Sequence, residues 1–290
     1  METTQALTRL VLKGVDHTAR PTWKLKETVE FYRDTLGLPL IHTISARGWG
    51  PHTHPDFLHF FFDSGKGSTI AFFYYLGTQQ PENMAGREST KPWPEDFVTD
   101  ATHTAWLVDN EEELLQWKQF LLDKGLDVSV ETRHEVIESI YFRDPNGYFL
   151  EITCKLRPLQ DGDYRDAALT LEAAIELEQE RSGGIRDIKQ IDEVWQRKAK
   201  NLLGEGEAGG VRLPVLKVAE FEPLVQAARA LPNCEVQDLD DAYWLVRAKE
   251  PIEFGRKALG LKPAIWYGLF TGGVSGRITK FDRDTVRIEP

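Results

Sequence analysis

An internal repeat is the strongest constraint on how this chain folds. Leu10 to Ala19 and a second stretch opening near Ala101 are both short, apolar and β-branched, which predicts strands. The first contains His17-Thr18-Ala19 and the second His103-Thr104-Ala105. A helical pattern follows each. Leu25, Val29, Tyr32 and Leu36 recur at helical spacing, and Gly37 ends the run. Asn110 is placed to cap the second helix, with Glu111, Glu112 and Glu113 at the positive end of its dipole. Leu114, Trp117 and Leu121 mark its buried stripe, and Gly125 supplies the stop. Three strand patterns then follow in each copy. They lie near Leu38 to Ala46, Phe57 to Asp63 and Thr69 to Leu76, and near Asp127 to Thr132, Ile137 to Arg143 and Tyr148 to Lys155. Short turns, Asp63-Ser64-Gly65-Lys66-Gly67 and Asp144-Pro145-Asn146-Gly147, separate the last two strands of each copy. Each copy therefore reads β-α-β-β-β. One such sheet alone leaves a face bare, whereas two side by side form a curved mixed sheet around a shared cavity. The fold class expected is α+β.

Histidine is the commonest metal ligand and a frequent acid-base group. All seven histidines lie before residue 135, so histidine-dependent chemistry belongs to the first half. The formal net charge of -11 argues against broad nucleic-acid binding. Two cysteines, Cys154 and Cys234, exclude a disulfide scaffold or a cysteine-rich metal cluster. No run of about 18 apolar residues predicts a membrane span. Met1 to Leu12 lacks the pattern of a signal peptide, so a cytoplasmic protein is expected.

The β-α-β-β-β order taken twice, a His at the end of each first strand, and the ending Asp144-Pro145-Asn146-Gly147-x-x-x-Glu151 together resemble the vicinal oxygen chelate superfamily. That superfamily includes glyoxalases, fosfomycin and bleomycin resistance proteins, and extradiol ring-cleaving dioxygenases. The resemblance spans about residues 8 to 155. It implies that His17, His103 and Glu151 bind a metal, since they occupy its ligand positions. Two imidazoles and one carboxylate form a facial triad with open positions on Fe(II). A carboxylate within Phe149-Leu150-Glu151-Ile152 is costly to bury unless paired or metal-bound; the competing reading is a solvent-facing strand residue.

The matching strand of the first copy, Ile70-Ala71-Phe72-Phe73-Tyr74, offers no carboxylate. Glyoxalases take a fourth ligand there, so the pattern is more similar to the extradiol dioxygenases. By the same resemblance Tyr141, ten residues before Glu151, stands where extradiol enzymes carry an active-site Tyr that stabilises the bound oxygen species. His59, in Leu58-His59-Phe60, stands near their acid-base His. A core tyrosine and a locally bonded sheet histidine are the alternatives, and a one-residue slip would turn His59 away. His134 competes for a supporting role. His52 and His54, in a Pro-bounded loop, are substrate-side candidates. Phe61 and Phe72, among the crowded aromatics of two adjacent strands, are candidates for an apolar substrate wall, although alternation lets only half of such residues face a cavity.

The expected organisation is a vicinal oxygen chelate domain over residues 1–157, with modules at about 8–76 and 100–155. A helical connector follows over 158–203, with Leu171, Ala174 and Ile175 on one helix and Ile188, Ile191, Val194 and Trp195 on another. A small α+β domain of unknown role spans 211–290. Its expected strands are Val215 to Val218, Ala242 to Arg247, Ile265 to Phe270 and Arg277 to Phe281. Its expected helices are Phe221 to Leu231 and Ile252 to Leu259, with a hairpin turn at Gly272 to Gly276. Gly77 to Asp100 reads as a connector between the modules. The activity expected is extradiol cleavage of a catechol-like ring by a homodimer using Fe(II), or Mn(II) or another divalent metal, with dioxygen. The alternatives are an oxygen-independent lyase, isomerase or transferase of the glyoxalase type, or a metal-free protein that sequesters a small aromatic compound. Neither nucleic acid nor membrane is an expected partner.

Overall fold

The computed structural model describes residues 14–47, 54–81, 100–180, 188–204 and 209–290. The chain divides into two units, residues 1–130 with 140–153, and residues 131–139 with 154–290. Among the described residues no helix is long and apolar enough to cross a membrane. The fold is mixed α+β, as the repeat predicts.

The first copy builds β1 (His17–Thr22), α1 (Leu25–Val29), β2 (Leu40–Ala46), β3 (Phe57–Asp63) and β4 (Thr69–Tyr75). α1 runs on as a π-helical turn over Glu30–Thr35. The sheet order is β1-β4-β3-β2, with β1 parallel to β4. The second copy builds β5 (Thr104–Val108), α2 (Glu111–Asp123), β6 (Thr132–Arg133), β7 (Ile137–Arg143) and β8 (Phe149–Lys155). Its order, β5-β8-β7-β6, repeats that of the first. The Asn110 side chain accepts the Glu113 N–H at 2.9 Å, and the Glu113 carboxylate accepts the Asp109 N–H at 2.8 Å, so the predicted cap forms.

Two boundaries depart from the sequence reading. His17 opens β1 rather than ending it, and His103 lies just ahead of β5. Pro21 falls within β1, which lies at the edge of its sheet, where a proline lacking N–H is tolerated. The expected strand from Asp127 to Thr132 shrinks to Thr132–Arg133, because Ser129 meets Tyr141 through its N–H and hydroxyl instead of a regular ladder.

The second turn does more than reverse the chain. Asp144 is buried, and its carboxylate accepts from the Asn146 and Tyr148 N–H groups, both at 2.9 Å, and from the Tyr32 hydroxyl at 3.1 Å. Asn146 Nδ2 donates to Asp144 and to Thr28 Oγ1, and Asn146 Oδ1 accepts from Thr22 Oγ1 at 2.7 Å. Lys24 Nζ reaches the Pro145 carbonyl, and the Tyr148 hydroxyl reaches the Pro21 carbonyl. The turn of the second copy is thus bonded to β1 and α1 of the first. Asn146→Ala would leave Asp144, Thr22 and Thr28 short of partners, each missing bond costing about 1–3 kcal/mol. Urea denaturation should show that variant destabilised by roughly 2–4 kcal/mol.

In the second unit the chain continues through α3 (Asp161–Glu180), α4 (Ile191–Leu203) and β9 (Val211–Leu216) to α5 (Glu222–Ala230). It goes on through β10 (Cys234–Asp238), β11 (Tyr243–Ala248), β12 (Ile252–Gly255), α6 (Pro263–Tyr267), β13 (Arg277–Phe281) and β14 (Thr285–Glu289). Two sheets result, β10-β11-β9 and β12-β14-β13. Their core holds Leu213, Phe221, Tyr243, Val246, Trp266, Phe270 and Val286. The two helices expected as a connector belong to this unit. Ile252 to Leu259 is a strand and a turn rather than a helix, and Ile265 to Phe270 opens helical rather than extended, because Pro263 stands at the start of α6. Gly272 to Gly276 consequently does not join two strands. A Cβ at Gly272 would lie 2.2 Å from the Pro214 carbonyl oxygen, so that glycine permits close backbone packing.

Lys198 is fully buried and donates to Asp166, Thr170 Oγ1 and the Thr271 carbonyl, while the Tyr243 hydroxyl donates to Asp166 at 2.8 Å. Burial pushes the lysine down from its usual range, against the pull of Asp166. Glu135 faces the same cluster. Burial, then Asp166 and Glu220, push its carboxyl up to about 7, with Arg157 opposing and Asp163 adding to the rise. An acid with a raised folded pKa makes the folded state bind the extra proton, so stability falls as pH rises from about 4.5 to about 7. Glu135→Gln should therefore raise Tm by about 5 °C at pH 8 and change it little at pH 5, a difference scanning calorimetry resolves.

Candidate metal centre

Alternation sorts each sheet into two faces. In the first module Phe60, Phe62 and Phe72 are buried, and Phe62 and Phe72 pack on Tyr32 beside α1. The opposite face carries His59, Phe61 and Phe73. The expectation that Phe72 lines the substrate wall is therefore corrected. Phe73, one residue on, takes that face, and its ring stacks on His59 at 3.7 Å between centroids. Phe61 shares that face, with its ring 5.7 Å from His17 and 4.2 Å from His59. Phe73 and Tyr75 continue the stack, and His54 packs edge-on to Tyr75. His52 lies outside the described residues.

His59 is buried, and among the described residues neither ring nitrogen has a hydrogen-bond partner. Burial lowers its pKa, with further lowering from His17 and His42. His42, absent from the sequence reading, stands opposite Phe61 in the β2–β3 register.

In the second module the functional face carries His103, Tyr141, Arg143, Phe149 and Glu151. His103 Nε2 lies 2.9 Å from Glu151 Oε2, and Glu151 is buried. His103 Nδ1 lies 2.7 Å from the Asp100 carbonyl oxygen. A carbonyl can only accept, so Nδ1 carries the proton and Nε2 faces the carboxylate. That pairing needs either a second proton on the ring or a cation shared by both atoms. Metal bonds of about 2.1 Å place adjacent donors about 3 Å apart, so this pair suits a divalent ion. Asp100 was also missed. Its carboxylate pairs with the buried Arg143, which fixes the segment that orients His103. Tyr141 and Phe149 lie nearly parallel at 5.1 Å, both edge-on to His103.

His17 has Nδ1 2.7 Å from Asp16 Oδ1, so Nε2 is the atom it would offer to a metal. The structure sets it beside His59 and Phe61, at ring distances of 6.4 and 5.7 Å. Among the described residues no three His, Cys, Asp or Glu side chains are grouped to hold one ion. The pair His103–Glu151 is thus assembled, and His17 stands with the first module's histidines. His134 lies at the β6–β7 turn in the second unit, its N–H bonded to the Ile137 carbonyl.

Paired β-α-β-β-β modules with imidazole and carboxylate donors on one face define a vicinal oxygen chelate domain. Residues 14–152 match the Glyoxalase/Bleomycin resistance protein/Dioxygenase superfamily, and this part of the chain belongs to it. The solved structure of SMU.1112c is 21% identical, with a TM-score of 0.36, over 49% of this chain and 99% of that one. A lactoylglutathione lyase from Agrobacterium tumefaciens is 20% identical, with a TM-score of 0.34, over 49% and 94%. TnmS3, an antibiotic binding protein from Streptomyces sp. CB03234, is 15% identical, with a TM-score of 0.34, over 51% and 99%. No curated protein sequence gives a match.

If His103 and Glu151 hold a metal, protein purified without chelator should contain about one divalent ion per chain, and His103→Ala less than about a tenth of that, by elemental analysis.

Proposed function

We propose that the first unit is a divalent-metal-dependent enzyme of the extradiol type, opening a catechol-like ring with dioxygen. One observation carries the reading. A buried carboxylate, Glu151, faces the Nε2 of a histidine whose tautomer is set from behind by Asp100. Its positional counterpart in the first module is Ala71, so that strand adds no carboxylate; His103 and Glu151 stand together, and His17 would have to join them to complete a three-ligand set. A ferrous or manganous ion held there would bring two substrates together and act as a Lewis acid.

The remaining roles fall to the surrounding side chains. His59, with both ring nitrogens unpartnered, would take the proton of a phenolic hydroxyl and later return it. Tyr141 would donate a hydrogen bond to the oxygen substrate. Phe61 and Phe73 would hold the ring by stacking and exclude water. Protein loaded with Fe(II) under anaerobic conditions should consume dioxygen when given a catechol. His59→Gln should keep its iron and lose about 10²–10⁴-fold in turnover. Iron demonstrably bound with no oxygen uptake across a broad catechol panel would sink the assignment.

A second reading, metal-free sequestration of a flat ring, draws on the stacked rings of His59, Phe73 and Tyr75, which grip an aromatic ligand without an ion. Equal, negligible metal in wild type and His103→Ala would favour it.

A further inference from the structure

We propose that the second unit carries an anion-binding groove for a small, polar phosphate- or carboxylate-bearing ligand. The groove, of about 870 Å³, is lined in part by Arg212, Arg247, Lys249, Asn233, Glu235 and Glu250. That volume falls within the range of small-molecule sites. The register of β10-β11-β9 sets Glu235 opposite Arg247, and Arg247 opposite Arg212. Two arginines are therefore direct cross-strand partners, with Cα atoms about 5 Å apart. Like charges placed so destabilise a sheet unless something neutralises them.

Among the described residues no ion pair neutralises them, although Glu235 stands opposite Arg247. Elsewhere in this unit Arg157 pairs with Asp163 and Glu220, Arg165 with Asp240, Arg197 with Glu176 and Glu180, and Arg277 with Glu289. Arg212 makes only a 3.3 Å bond from Nη2 to Ser275 Oγ, and among the described residues Arg247 and Lys249 make no ion pair. In a protein with 46 acidic and 35 basic residues, leaving this row unpaired is unusual. Neighbouring guanidinium forks fit the planar oxygens of one phosphate or carboxylate. Glu235, Glu250 and Asn233 then offer acceptors to hydroxyl or amino groups on the rest of the ligand. None of this involves the metal centre, so the groove stands whether or not the proposed ring cleavage does.

Pyrophosphate and citrate serve as probes, titrated calorimetrically into the full chain at constant ionic strength. One of them should bind saturably, with Kd on the order of 0.1 mM. Tighter pyrophosphate binding identifies a phosphate ligand, and tighter citrate binding a polycarboxylate. Arg247 is exposed, so Arg247→Gln should fold normally and weaken binding at least about tenfold, the loss expected for one charge-assisted contact. Arg229→Gln, an exposed arginine on α5 outside the groove, should change nothing. No saturable binding of either probe, or equal weakening in both variants, overturns the proposal.

Discussion

The buried carboxylate of Asp144 is the interaction on which the first unit depends. It sits in the turn between β7 and β8, yet the groups that satisfy or surround it include Tyr32, Thr28 and Thr22 of the other module. Burial raises its pKa, and the hydrogen bonds from Asn146, Tyr148 and Tyr32 hold it down. Burial outweighs those bonds, so losing any one donor adds to the cost of the buried carboxylate. Two strands carry donors of the candidate centre, and the network grips both. β8 begins at Phe149, directly after Tyr148, and presents Glu151. β1 ends at Thr22, which bonds Asn146, and begins at His17. The Asp144-to-Gly147 turn that reads as a simple chain reversal is therefore the brace that holds the functional strands in place.

The repeat, both helices and six of the eight strands of the two modules were legible because period and turn chemistry agree locally. The facing of His59 was not, since one step in register reverses a strand. Phe72 and Phe73 show the same limit. Both are aromatic and adjacent, and only the pairing Phe73↔His59 and Phe72↔Phe60 decides which meets the site. His42 and Asp100 left no local signal at all. One gains its place from the β2–β3 register, and the other works through a backbone carbonyl. In the second unit Ile252 to Leu259 carries apolar residues at both helical and strand spacings, and tertiary pairing with β14 decided between them.

The histidine-free second half solves its buried polar problem by other means. Lys198 spends its ammonium on Asp166, Thr170 and a carbonyl, and Asp166 also receives Tyr243. Such a satisfied network fixes packing, but it has no open valence for a ligand. His59 differs: it is buried with no hydrogen-bond partner for either ring nitrogen among the described residues.

The two modules share a topology and differ in chemistry, and that difference bears directly on what the site can do. Where the second module sets Glu151, the first sets Ala71, fully buried. By the same count of strand positions Phe61 stands where the second sets Tyr141, and the first module's own stack is His59 on Phe73. A symmetric pair would place like charges on both sides of one cavity and repel an anionic substrate from both. The second module instead pairs its carboxylate with one imidazole, His103, and the first gathers His17, His42 and His59 with an aromatic stack. Under the proposed function, a flat ring would stack against the first module, with its oxygens toward the donors of the second. Duplication thus supplied a scaffold in which strand positions correspond, and divergence at a few of those positions made the two faces complementary.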